Sequence, residues 1–141
     1  MTGGWVGSTA PSMLLAYYVG AYGPTIRIDA RSRADLVAVG QLFRRLASGA
    51  VQEAELGGAL GCRLDSIGSL IVRSVKSQPS QALDLLYYSA GQPVFGWSNT
   101  GEEWLGQAEK VDVLAANDYP GHQYLTQEGV DDALVELCFR E

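Results

Sequence analysis

The chain has 141 residues, 47% apolar and 18% charged, with a net charge of −6 at pH 7. That is enough apolar sequence to bury one core without metal or disulfide support, and it excludes a disordered chain. Residues 1–101 carry eight Lys or Arg against six Asp or Glu, whereas residues 102–141 carry two against ten, so the C-terminal third is an acidic module.

Residues 1–12 are rich in Gly, Ser and Thr and read as a flexible leader, with residues 13–141 forming a single α+β domain. The run from Met13 to Val19 is apolar, has no Lys or Arg before it and is too short to span a bilayer, so it is read as the first strand. Thr25 to Ala30 alternates apolar and polar side chains, the pattern of a strand with one buried and one wet face. Ser32 followed by Asp35 resembles a capping box. It opens a helix whose stripe is Leu36, Val39, Gly40, Phe43, Leu46 and Ala47, and Gly49 is its natural stop.

Ala50 to Leu56 fits either a strand or an extra helical turn, and Gly57, Gly58 and Gly61 point to a loop beside it. Strands follow at Ser69 to Ser77 and Leu83 to Ser89, with a turn at Gln78 to Ser80 between them. A second turn at Ala90 to Gln92 makes a hairpin with a strand from Val94 to Trp97. A polar break bracketed by Asn99 and Gly101 comes next. Thr100 and Glu103 then form a capping box for a helix that buries Trp104, Ala108, Val111 and Ala115, its face widened by Leu105 and Leu114. Tyr119-Pro120-Gly121 prevents its continuation, and two strands, Gly121 to Thr126 and Ala133 to Arg140, close the chain around a turn at Gln127 to Gly129.

Pro24 and Pro93, 69 residues apart, each begin a strand, a helix-start signal and a helix, followed by two more strands. The side chains do not repeat, but the order raises a duplicated strand–helix–strand–strand plan. The expected fold class is α+β, with an antiparallel or mixed sheet and two main helices packed on one face.

Chemistry-bearing patterns are sparse. Cys62 and Cys138 have neither metal-ligand nor redox spacing, which fits reduced thiols in a cytoplasmic protein. His122, with Tyr119, Gln123, Tyr124 and Asp118 close by, is the first candidate for acid–base work, yet no nucleophile accompanies it. Glu102 and Glu103 are what a helix N-terminus favours, and with Asp131 and Asp132 they form no metal-binding pattern. The Gly57 to Gly61 run is not a phosphate loop. No catalytic residue, cofactor or metal is therefore expected.

The acidic balance disfavours nucleic acid, which needs clustered Lys and Arg, and favours a basic protein partner. Aromatic residues beside acidic ones suit a hot-spot centre with a steering rim. Trp97, Glu102, Glu103, Trp104, Asp118, Tyr119, His122, Tyr124, Asp131 and Asp132 are accordingly the candidate partner-binding residues.

In size, acidity and strand–helix plan, and in the stretches 94–104 (Val-Phe-Gly-Trp-Ser-Asn-Thr-Gly-Glu-Glu-Trp) and 121–126 (Gly-His-Gln-Tyr-Leu-Thr), the chain resembles the immunity proteins of bacterial polymorphic toxin and contact-dependent inhibition systems. The resemblance spans roughly residues 24–141 and singles out no subfamily. It implies a non-catalytic inhibitor that neutralises a cognate toxin, a nuclease or a deaminase, by occluding its basic active-site cleft, with no membrane involved. The competing expectation is a small-molecule-binding or regulatory α+β domain.

Overall fold

A computed structural model describes residues 13–77, 82–117, 119–126 and 133–140; the expected leader and the two turns at Gln78 and Gln127 lie outside them. The first half contains β1 (Leu14–Gly20), β2 (Gly23–Ala30), α1 (Arg33–Ser48), β3 (Glu53–Glu55) and α2 (Leu56–Leu60), then β4 (Arg63–Asp65) and β5 (Ser69–Val75). The second contains β6 (Ala82–Ser89), β7 (Gln92–Thr100), α3 (Gly101–Ala115), β8 (Gly121–Tyr124) and β9 (Leu134–Phe139). The fold is α+β, as the patterning indicates. Its strands divide between two mixed sheets where the sequence suggested one, in the orders β4-β1-β2-β9-β8 and β3-β5-β7-β6.

The pairing repeats in part, although α2 and β4, which lie between β3 and β5, have no counterpart between β8 and β9 among the described residues. Each half is an antiparallel hairpin (β1–β2 or β6–β7), a long helix, and a second antiparallel pair (β3–β5 or β8–β9). The second pair never joins its own hairpin: β5 runs parallel to β7, and β9 runs parallel to β2. Each sheet is therefore completed by strands from the opposite half. α1 and α3 pack on each other more extensively than any other pair of elements, and both touch strands of both sheets.

Local chemistry sets the helix ends. At α1 the Ser32 hydroxyl accepts from the Asp35 N–H, while the Asp35 carboxylate accepts from Arg31 N at 2.8 Å, one residue before the N-cap nitrogen that a full capping box would use. Gly49 ends the helix at φ 84°, its N–H donating to Leu46 O. At α3 the box is complete: Glu103 Oε1 accepts from Thr100 N at 2.8 Å and Thr100 Oγ1 from Glu103 N at 3.2 Å.

The core gathers Leu15, Ile26, Ile28, Val135, Leu137 and Phe139 from the first sheet and Leu70, Val72, Phe95 and Trp97 from the second against the apolar stripes of α1 and α3. Its centre is aromatic. Trp97 and Trp104 lie 4.8 Å apart between ring centroids, and Phe43 lies 5.8 Å and 5.1 Å from them.

Several expectations are corrected. No polar break precedes α3: β7 keeps its parallel ladder with β5 through Asn99 and Thr100, and Asn99 is fully buried. Ala50 to Leu56 is both a strand and a helix start, because the Glu55 carboxylate accepts from Gly57 N and Gly58 N and so caps α2. Leu105 turns outward instead of widening the buried face. The polar face of β2 is not wet: Thr25 and Asp29 are buried.

Candidate functional site

Because side chains alternate across a strand, the first sheet presents a second face opposite its core face. Along it lie Ala16 and Tyr18 of β1, Thr25, Arg27 and Asp29 of β2, Leu134, Glu136 and Cys138 of β9, and His122 and Tyr124 of β8. Two rows cross the strands in register. Arg27 stands opposite Glu136, which stands opposite Tyr124; Asp29 stands opposite Cys138, which stands opposite His122.

This face is unusually polar for its burial. Glu136 is 7% exposed and Asp29 5%, and a charged group so placed needs partners. Tyr18 OH donates to Glu136 Oε1 at 3.2 Å, and Arg31 lies 3.6 Å from Asp29. Burial first, then the Glu136 charge, pushes the Tyr18 phenol above its ordinary range. Tyr124 moves the same way for the same two reasons, with Tyr22, Tyr18 and Cys138 adding to the effect. Burial works against the Arg27 charge, but Cys138, Asp29, Tyr18 and Glu136 outweigh it and hold the guanidinium protonated.

At one end the face becomes aromatic and open. Tyr22, in the β1–β2 turn, meets Tyr124 edge-on at 6.4 Å between centroids, and His122 meets Tyr124 at 5.5 Å. Exposure is 64% for Tyr22, 39% for Tyr18 and 37% for Tyr124. Tyr22, Tyr124, Thr126 and Leu134 line a pocket of about 170 Å³ here. Two larger hollows lie elsewhere, one of about 520 Å³ beside Arg44 and Arg45 of α1 and one of about 320 Å³ between Ser48 and Lys76.

The residues expected to bind a partner separate into groups. His122 and Tyr124 lie together on the second face of the first sheet, whereas Tyr119, though exposed, precedes Gly121 at the opposite end of β8. Glu102 is exposed at the start of α3, and Glu103 beside it serves the capping box. Asp118, Asp131 and Asp132 lie outside the described residues. Trp97 and Trp104 are removed from the candidate set, since both are wholly buried at the core centre and no partner reaches them in this fold. Trp104 Nε1 donates to Arg73 O at 2.8 Å, which fixes its ring between α3 and β5.

Sequence reasoning missed Tyr18, Tyr22, Arg27 and Asp29. The signal for three of them was the period-2 alternation in β1 and β2, which assigns Tyr18, Arg27 and Asp29 to one face. Tyr22 sits in a turn and has no such signal.

Among the described residues no group of three or more His, Cys, Asp or Glu is placed to hold a metal. Cys138 faces His122 across β8 and β9 but is wholly buried, so a substrate has no approach to its sulfur. No described helix is long and apolar enough to cross a membrane. Comparison of the chain with protein-family models, with curated proteins and with solved structures gives no match.

Proposed function

We propose that this chain is a protein-binding inhibitor that neutralises a cognate bacterial toxin, and that its contact surface is the tyrosine-rich end of the first sheet. The observation that carries this reading is the convergence of Tyr18, Tyr22, Tyr124 and His122, drawn from two distant chain segments, on one face of the first sheet. Tyrosine supplies large contact area at low entropy cost and is over-represented among residues that dominate binding energy. The net charge of −6 adds attraction for a basic cleft and speeds encounter.

The tyrosine pocket is small for a metabolite site. At about 170 Å³, it falls below the roughly 300 Å³ at which ligand pockets begin. It suits one side chain of a macromolecule better than a metabolite.

The test is capture of a partner on the tagged protein from its source lysate, followed by assay of that partner's nuclease or deaminase activity with added inhibitor. Stoichiometric loss of activity is expected, with association that slows as salt is raised. The double variant Tyr22→Ala/Tyr124→Ala should weaken inhibition by at least about 100-fold, the scale of two interface hot spots. A captured partner whose activity is unaffected, or no captured partner at all, overturns the reading.

A further inference from the structure

We propose that the pocket bounded by Tyr22, Tyr124, Thr126 and Leu134 receives one arginine side chain of the protein partner. The assignment rests on reading this end of the sheet as a protein-contact surface, and four features of the pocket carry it.

The first is size: at about 170 Å³ the pocket is smaller than the roughly 300 Å³ at which small-molecule sites begin and suits one long side chain. The second is its walls. The Tyr22 and Tyr124 rings meet at 86°, an edge-to-face pair that presents a ring face to an incoming group, and cations bind over such faces.

The third is the direction of the local field. Glu136 stands directly opposite Tyr124 and two residues along β9 from Leu134 on the same face, so the carboxylate is the direct strand neighbour of two pocket-lining residues, whereas Arg27 is opposite none of them. Asp29 is answered by Arg31, and Lys110 approaches from the α3 side with its ammonium on the Tyr124 carbonyl at 3.4 Å. The carboxylate is therefore the acidic group beside the lining residues. The fourth is the acceptor capacity of Glu136, which neighbours the pocket without lining it. A carboxylate accepts about four hydrogen bonds, and the bond from Tyr18 uses one. Thr126 Oγ1, already accepting from Val135 N at 2.9 Å, is held in place at the pocket wall.

Arginine matches this set better than lysine. Its planar guanidinium stacks on a tyrosine face and offers several donors in a fixed fork, whereas an ammonium is a strongly hydrated point charge.

The experiment is an NMR titration of the whole protein with N-acetyl-arginine N-methylamide and, separately, with the citrulline analogue, which has the same shape without the charge. Saturable shifts of the Tyr22 and Tyr124 ring signals are expected with the arginine probe, and an affinity lower by at least about tenfold with citrulline, equivalent to about 1.4 kcal/mol. Glu136→Gln should abolish that preference. Because Glu136 is buried, Tyr22→Leu provides a second variant at an exposed position, and it should weaken the arginine probe severalfold with the fold retained.

No shift at millimolar arginine probe, or equal shifts with the two probes, overturns the assignment. The two proposals fail separately. A pocket that selects the arginine probe in a protein that inhibits no partner overturns the inhibitor reading alone. An inhibitor whose pocket ignores the probe overturns the pocket assignment alone.

Discussion

Trp97 and Trp104 touch each other in the core, yet their indole N–H groups fare differently. Trp104 Nε1 donates to Arg73 O, whereas Trp97 Nε1 is buried without a protein acceptor among the described residues. Replacement by Phe removes similar volume at both, but at 104 it breaks a hydrogen bond to a part-buried carbonyl, whereas at 97 it removes a donor that has no acceptor among the described residues. Trp104→Phe should therefore cost about 1–2 kcal/mol more than Trp97→Phe in urea denaturation. Equal costs would show that the Arg73 bond contributes nothing. Cys62 offers a pH-dependent test. Burial first, with Glu55 and Asp35 adding, pushes its thiol from the ordinary 9.0 up to about 11. A raised thiol favours the neutral form in the folded state, so its contribution is complete below pH 9.0 and is lost as pH rises from 9.0 through about 11. The Cys62→Ala protein should lose less stability than the parent between pH 8 and pH 11, measured by denaturant midpoints at each pH. At this scale the sequence exposed part of the site. His122 and Tyr124 are close in the chain, and their position on one face follows from the period-2 alternation of a strand. The tryptophans misled because a hot-spot composition and a core composition are the same residue types; only burial separates them.

The meeting of α1 and α3 is where two glycines should respond in opposite directions. A Cβ at Gly40 would lie 3.4 Å from Arg44 Nη1 and 3.6 Å from Val111 Cγ1, the first being the end of a flexible side chain. Gly40→Ala should thus stabilise by about 0.5–1 kcal/mol through helix propensity. A Cβ at Gly101 would lie 2.7 Å from the carbonyl oxygen of Ala47, a backbone atom at the end of α1. Gly101→Ala should destabilise by about 1–3 kcal/mol, the range of overpacking. Thermal or urea unfolding of the two variants decides both signs. The exposed Arg44–Asp112 pair across the same contact, at 2.5 Å, should matter little by comparison. The sequence revealed the long elements well, because capping boxes, stop glycines and period-3.6 stripes are local signals that the tertiary structure leaves intact. It revealed the region from Gln52 to Asp65 poorly. β3 and β4 are three residues each, too short to show periodicity, and α2 depends on one carboxylate and contains Gly57 and Gly58. β7 was cut short because Asn99 reads as a turn residue, whereas here its backbone is held by the ladder to Ser74.

On the scale of the whole molecule, the exchange of strands between halves makes each half incomplete. Neither hairpin finds its central-sheet neighbour within its own half, since β2 pairs with β9 and β7 with β5. Fragments covering residues 13–77 and 82–141 should each lack cooperative unfolding alone and should regain it when mixed. Circular dichroism and thermal melts of the separate and combined fragments test this, and a fragment that melts cooperatively by itself would show that a half is a domain. Strand order was not legible from sequence for the same reason: the hydrophobic pattern shows that a strand has a buried face, not which strand lies beside it.

The parallel pairing of Ile26 with Val135 also sets a schedule for biosynthesis. All four strands of the second sheet have been made once Thr100 is added, but β2 waits for β9, whose first residue is Leu134. At about 5–20 residues per second, those 34 residues take roughly 2–7 s, during which the β2 edge has no strand beside it. An unpaired strand edge is a template for association with other chains, so the interval is a window of vulnerability for the nascent protein. Slower translation through the α3 region should lengthen that window and lower the yield of folded molecules, with no change in the stability of those that form.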